Sequence, residues 1–370
     1  MNAWGFPLLA SHKLLRPESE SKPPMRIAML APIAWRTPPR AYGPWELVTS
    51  MLTEALVKRG VDVTLFATLD SETSGKLDGV VPAPYSEDPS IDAKVWEFRH
   101  LAHLFEQADQ FDLIHNQADF PAHAFARLID TPIVTTIHGF SSDRILPMYQ
   151  EYQDLVHYIA ISDADRHPSL RYEATIHHGI PIDDFPFQPN RGEDLLFFGR
   201  IHPDKGAAEA IEAARFSKRP LHMYGIVQDE HYHDMHVAPA DDGVSVIYHG
   251  VAGGSERLNA LGDARALLHL INFDEPFGLS VIEAMACGTP VIATNRGSMP
   301  ELIEHGVTGF LVNTAQEAVQ AIERIDDIDR FAVRQSVIDR FSIDRMADNY
   351  LTVYQRICDR PQTTDNQIEC

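Results

Sequence analysis

Between Met25 and Thr68 the chain runs strand, helix, strand, and that order restricts the fold more than any other feature. MRIAMLA at 25–31 reads as a buried strand. ELVTSMLTEALVKRG at 46–60 has apolar residues at helical spacing and closes on Gly60, and VDVTLFAT at 61–68 is the next strand. Strands joined through a helix pair in parallel, because a tight turn connects only antiparallel neighbours. The alternation continues with a helical stretch at 91–109, a strand end at 111–117, a short helix at 121–129, and strands at 132–139, 155–162 and 172–180.

A second run starts afresh near Asp194. DLLFFGR is a strand and a helix begins at Lys205. Strands follow at 220–225, 244–250, 264–271, 290–294 and 309–312, with helices at 279–287, about 299–304, 315–335 and 343–358. At 370 residues the chain is long for one domain. Two α/β units are expected, each Rossmann-like, joined by the proline- and acid-rich segment IPIDDFPFQPNRGED. The expected boundaries are a loose leader at 1–24, an N-terminal unit at 25–188, a C-terminal unit at 189–340, a last helix at 341–358 and a polar tail at 359–370. Parallel sheets place ligands beyond the carboxyl ends of their strands, and two such edges facing one another enclose a cleft.

The chain has 31 basic and 53 acidic residues, a formal charge of −22. That field will not attract nucleic acid or anionic lipid, so any bound anion needs a local site. Cys287, Cys358 and Cys370 form no CxxC pair and no disulfide framework, which fits a reducing cytoplasm. No run of 18 apolar residues suggests a membrane span, and the first 24 residues lack a signal peptide's order.

The densest chemistry lies in EPFGLSVIEAMACGTPVIA, from Glu275. A helix starting near Gly278 can receive a phosphate on its first amides, those of Leu279 and Ser280 among them, and glycine lets the backbone approach closely. Glu283, one turn in, suits ribose hydroxyls, and Glu275, ahead of the helix, suits those of a sugar. The bland alternative is a capped helix with solvated acids. In FGRIHPDKG, Arg200 and Lys205 flank a strand exit, and an arginine fork with a lysine point charge suits a diphosphate; ordinary surface charge is the competing reading.

In the first half, Tyr42-Gly43-Pro44-Trp45-Glu46 is a glycine-containing loop before a helix. Gly43 can admit a phosphate or sugar near backbone, or serve only as a turn. The loop is not a GxGxxG motif, which argues against a nicotinamide cofactor. His138, ending IVTTIH, can exchange hydrogen bonds with a reacting ligand or be a satisfied structural histidine. Asn116 and Asp119, like Ser162 and Asp163, sit past strand ends, where an acceptor contact competes with turn capping. His177, His178 and Gly179 read as an interdomain turn. His231, His233 and His236 match no metal-ligand spacing, and no metal site is expected.

Together FFGRIHPDKG (197–206), the Glu275–Glu283 pair with seven residues between the acids, and GSMPELIEHGVTGFLV (297–312) resemble the retaining glycosyltransferases of family four, of the two-Rossmann-domain or GT-B architecture. The resemblance runs from Met25 to about Tyr354. It implies a nucleotide-sugar co-substrate, most often UDP-linked, with a hexose such as glucose moved to a hydroxyl acceptor, and no cofactor or divalent metal. Arg200 and Lys205 would clamp the diphosphate and Glu283 the ribose. Glu275, with Phe277, Gly278 and Leu279, would hold sugar and phosphates. Gly43 would close on the donor, His138 would lie near the transferred sugar, and the last helix would cross back onto the first domain. Many relatives have two glycines in the first loop, whereas Pro44 follows Gly43 here and removes an N–H. The acceptor side is therefore expected to be built around Tyr42 and Trp45. A sugar phosphorylase, a nucleotide-sugar epimerase or a non-catalytic sugar-nucleotide binder would share the architecture, and a homodimer is compatible with it.

Overall fold

The protein's structure, a computed structural model, describes residues 1, 23–140, 142–190 and 192–360. The expected leader and tail fall outside these residues except at their inner ends and Met1.

The first half holds β1 (Arg26–Leu30), α1 (Pro44–Lys58), β2 (Asp62–Thr68), β3 (Lys76–Val81), α2 (Ala93–Phe105), β4 (Leu113–Asn116), β5 (Ile133–Ile137), α3 (Leu146–Tyr152), β6 (Val156–Ala160) and β7 (Ala174–Thr175). Its strands form one parallel sheet in the order β3-β2-β1-β4-β5-β6-β7. The second half holds β8 (Leu195–Phe198), α4 (Ala207–Ser217), β9 (Leu221–Tyr224), α5 (Glu230–Tyr232), β10 (Val246–Tyr248), α6 (Gly254–Asp263), β11 (Ala266–His269), α7 (Leu279–Ala286), β12 (Val291–Thr294), α8 (Met299–Leu302), β13 (Gly309–Val312), α9 (Ala315–Arg324) and α10 (Arg330–Arg340). Its sheet is also parallel, in the order β10-β9-β8-β11-β12-β13. Both orders reverse direction once, between β1 and β4 in the first sheet and between β8 and β11 in the second. Crevices open at such reversals.

Several elements differ from the sequence reading, the unexpected helices α3 and α5 among them. β3 is an edge strand whose residues KLDGVV carry no apolar run. α6, GSERLNALGD, is too polar to announce itself. The helix expected over 315–335 is two, because Asp329 caps α10 by accepting from the Phe331 amide at 2.9 Å.

The final helix, α11 (Ile343–Cys358), leaves the second half and lies on the first. Met346, Ala347, Tyr350, Val353, Tyr354 and Ile357 form one buried face, packed with Val48, Leu52 and Leu56 of α1 and with the β1–β2 core. Arg59 after α1 pairs with Asp344 at 2.8 Å and Asp348 at 2.7 Å. The chain crosses between halves at 180 and 342, and the two crossings pair. The Ile180 amide donates to Phe341 O, and the Ile343 amide to Ile180 O, each at 2.9 Å.

Candidate active site

The loops at both sheet reversals face one another. In the second half, the loop after β8 carries Arg200 and ends in a single 3-10 turn, Pro203–Lys205, capped by His202. The loop after β11 carries Glu275 to Gly278 and leads into α7. Gly278 starts that helix with φ +107°, and a Cβ there would lie 2.9 Å from Met299 Cε, so both conformation and space require glycine. α7 has no side-chain cap and no acid in its first turn. The Val281 amide already donates to Gly278 O at 3.1 Å, whereas those of Leu279 and Ser280 have no acceptor within the helix and lie at the positive end of its dipole.

Lys205 Nζ donates to Glu275 Oε2, and both side chains are largely buried. His269, the last residue of β11, puts Nε2 3.6 Å from the same oxygen. Burial pushes the Glu275 carboxyl up, but the neighbouring His269 imidazole and the Lys205 charge outweigh it and hold the group down at about 2. Glu283, one turn into α7, is buried and ion-paired with Arg257 of α6. Burial pushes its carboxyl up against the pull of Arg257. Arg200 donates to Gln228 Oε1. The buried Phe277 carbonyl accepts from Ser298 Oγ.

On the facing half, Gly43 starts α1 with φ +149°, and the space beside it is filled: a Cβ would come 2.9 Å from Pro39 Cβ and 3.1 Å from Trp35 Cβ. Pro44 opens the helix, and Glu46 is buried in its first turn, accepting from the Trp35 amide at 3.1 Å. Burial raises the Glu46 carboxyl to about 7. Tyr42 meets Trp35 edge to face, and its phenol is raised by burial and feels the charges of Arg200 and Glu275 from across the cleft. His138 Nε2 donates to Gln117 Oε1 at 2.6 Å, and its ring stacks on Trp45 at 5.3 Å. On its other side stands His178, also at 5.3 Å, which in turn touches Phe277 at 4.9 Å. Burial lowers the His138 imidazole to about 3, so it is neutral.

The two halves also touch directly. A Cβ on Gly139 would lie 2.7 Å from Pro276 Cγ. Glu301 of α8 accepts from the amides of Asp163 at 2.9 Å and Ala164 at 2.7 Å, and meets His177 Nε2 at 2.9 Å.

Two family models match, "Glycosyltransferase Family 4" over residues 46–184 and "Glycosyl transferases group 1" over 181–331, so that together they run through both halves. The chain belongs to the family 4 glycosyltransferases. The glycosyltransferase is 24% identical to spore coat protein SA of Bacillus subtilis over 90% of this chain and all of the relative. Its fold is the GT-B fold of AviGT4, a glycosyltransferase involved in avilamycin A biosynthesis (23% identity, TM-score 0.68, 90% and 98% of the two chains). It is similarly close to Anabaena HepE, solved in complex with UDP and glucose (18% identity, TM-score 0.71, 90% and 99%).

Arg200, Lys205, Glu275, Phe277, Gly278, Leu279, Ser280 and Glu283 are thus gathered on one side of the glycosyltransferase's cleft, and Tyr42, Gly43, Trp45 and His138 on the other. Of the two readings of Asn116 and Asp119, the structure shows turn capping. Asn116 is fully buried and donates to Asp119 O at 2.7 Å and Thr135 Oγ1 at 3.0 Å, while the Asp119 carboxylate accepts from Tyr149. They brace a turn. His177 and His178 do more than turn the chain, since both contact the second half. Among the described residues no group of three or more His, Cys, Asp or Glu is placed to hold a metal, and His231, His233 and His236 lie along a helical turn. No helix among them is long and apolar enough to cross a membrane. Sequence reasoning missed His269, Arg257, Gln228 and Gln117. For His269 a signal existed: a lone histidine ending an apolar strand, six residues before Glu275.

Proposed function

We propose that the protein is a retaining, metal-independent hexosyltransferase that moves glucose, or a close hexose, from a UDP-linked donor to a hydroxyl acceptor. The observation that carries this reading is the buried Lys205–Glu275 pair beside the acid-free, uncapped start of α7. Glu275 is ionised throughout the neutral range and offers two acceptor oxygens to sugar hydroxyls. When a sugar takes up that carboxylate, Lys205 is released toward the diphosphate, which Arg200 and the amides of Leu279 and Ser280 also serve. Negative charge grows on the leaving diphosphate as the anomeric bond breaks, and donors fixed beforehand in a partly buried site stabilise that charge more than the ground state. Glu283 would take the ribose hydroxyls and Phe277 the sugar by its backbone. Gly43 and His138 would close the other wall, with Tyr42 and Trp45 toward the acceptor.

Two further facts support the donor. Anabaena HepE, of the same fold, holds UDP and glucose. The neutral, buried His138 stands one ring away from Phe277 of the donor loop, through His178. Retention then proceeds with attack on the face the leaving group departs, the diphosphate oxygen taking the acceptor's proton. The test is a thermal-shift screen of nucleoside diphosphate sugars, then mass spectrometry and proton NMR of products. Transfer from a UDP-hexose with the anomeric configuration kept is expected. An inverted anomer, isomerisation of donor without acceptor, or phosphate-dependent turnover would each overturn the assignment.

A further inference from the structure

Three side chains meet at Glu275 Oε2, and one of them is unsatisfied. Lys205 Nζ donates to that oxygen and lies 4.7 Å from the centre of the Phe273 ring. His269 places Nε2 3.6 Å from the same oxygen, beyond hydrogen-bond length. His269 is 4% exposed, and its Nε2 is buried with no hydrogen-bond partner in the protein. A lone pair there would face an ionised carboxylate oxygen and be repelled by it, so Nε2 carries the proton. That proton is a buried donor held just short of an acceptor which the lysine already occupies. The backbone on either side is fixed. His269 ends β11 opposite Ala293 of β12. The Glu275 carbonyl accepts from the Ser298 amide at 3.0 Å, and Gly297 packs so closely that a Cβ there would lie 2.5 Å from the Glu275 nitrogen. Lys205 reaches the carboxylate on a long flexible stem. Its turn is tied to the same loop, the Asn272 amide donating to Asp204 O at 2.8 Å. The lysine can therefore leave by moving its side chain alone, while His269 and Glu275 stay together.

We propose that His269 is a positioning residue: it takes over Glu275 Oε2 when Lys205 turns to the diphosphate, so that the carboxylate stays anchored while it holds the sugar. The inference rests on the reading of the cleft as a glycosyl-transfer site, since the diphosphate is what draws the lysine away. The handover itself is a property of the three side chains. Removing the cation from a largely buried carboxylate leaves a charge uncompensated, which is costly. Burial works against the Glu275 charge, and His269 and Lys205 overcome it together. Once the lysine leaves, a shift of about half an ångström brings Nε2–H within hydrogen-bond distance of Oε2. The histidine proton then gains the acceptor it lacks, and the remaining lone pairs of Glu275 are free for sugar hydroxyls. His269 thereby lowers the cost of moving Lys205, acting through Glu275 and not on the ligand.

The experiment uses the full chain labelled with 15N-histidine, with and without UDP. Long-range proton–nitrogen correlation locates the His269 imidazole proton, its signals assigned by their loss in His269→Gln. The free protein is expected to carry that proton on Nε2. Saturation with UDP is expected to move it downfield as the hydrogen bond to Glu275 forms, and Lys205→Ala is expected to show the same displaced signal without UDP. Calorimetry gives the energetic counterpart. His269→Phe should bind UDP about tenfold more weakly, the loss of one hydrogen bond to a charged acceptor. His269→Gln, whose amide can donate from a similar position, should stay within about threefold of wild type. A purely structural role would lower the melting temperature of His269→Phe and leave its UDP affinity alone, and that result overturns the proposal. So does a His269 proton on Nδ1, or one unmoved either by Lys205→Ala or by UDP where calorimetry shows UDP bound. If wild type binds neither UDP nor any UDP-sugar, the glycosyl-transfer reading fails, and Lys205→Ala still decides the handover.

Discussion

Two helices begin at glycines with positive φ and point their amino ends into the same cleft, yet α1 and α7 are built for different guests. α7 opens with Leu279, Ser280 and Val281 and has no acid in its first turn. α1 opens with Pro44, which lacks an amide hydrogen, and places Glu46 beside the positive end of its own dipole. The glycine side of α1 is packed by Trp35 and Pro39. A helix terminus attracts an anion only where its donors are free and its charge is not already answered. On the proposed function the second half grips the diphosphate, while the first half supplies aromatic and neutral polar surface. The lesson is that a glycine-started helix marks a candidate anion site only after its first turn has been read.

The largest effect that would break this comparison is at Lys205. Lys205→Ala is expected to cut kcat by about two orders of magnitude or more, near 3 kcal/mol, with donor affinity falling far less. Steady-state kinetics beside calorimetry with UDP measure both, and a loss confined to KM would remove the residue from the charge-stabilising role.

Next comes an exchange of character between the helices. Ser280→Asp gives α7 the acid that α1 already has. Donor affinity should fall by roughly 1–2 kcal/mol, about tenfold or more, while the acid stabilises the helix itself by about 0.3–1 kcal/mol. Titration of UDP and a thermal melt should thus move in opposite directions, and unchanged UDP binding would show that the phosphates sit elsewhere.

The sequence makes this contrast partly visible. The alternation of strands and helices, the Glu275–Glu283 spacing and the positions of Arg200 and Lys205 are local patterns, and local patterns survive in one dimension. The partners of those residues do not. Arg257 reaches Glu283 from α6, a helix whose polar face hides it. Lys205, after β8, meets Glu275, after β11, across a sheet reversal. Tyr354 reaches His115 over more than two hundred positions because α11 returns to the first half. Asn116 and Asp119 were left with two readings for the converse reason: strand-end polar residues serve turns as readily as ligands.

A smaller effect concerns the clasp between halves. Glu301→Gln removes the charge from an acceptor of two amides and of His177, and it should cost about 1–2 kcal/mol of the closed arrangement. A few-fold rise in donor KM and a larger radius of gyration by X-ray scattering are expected. Identical scattering curves would mean that the clasp does not hold the halves together.

A separate effect, on pH dependence, is confined to the first half. The Glu46 carboxyl rises from an ordinary value near 4.5 to about 7 on folding, because burial disfavours its charge. Folded protein therefore holds that proton more tightly. The stabilisation is complete below about 4.5 and is lost as pH climbs through about 7. Urea midpoints followed between pH 5 and 8 should decline in wild type and decline less in Glu46→Gln. Parallel curves would show that Glu46 is ionised in the folded state.

The direct test of the whole account is a crystal structure of the protein with UDP. The diphosphate is expected within hydrogen-bond distance of Lys205 Nζ and of the Leu279 and Ser280 amides, with Glu275 freed from its lysine. A diphosphate bound at Gly43 and the start of α1, with the Lys205–Glu275 pair intact, would contradict it.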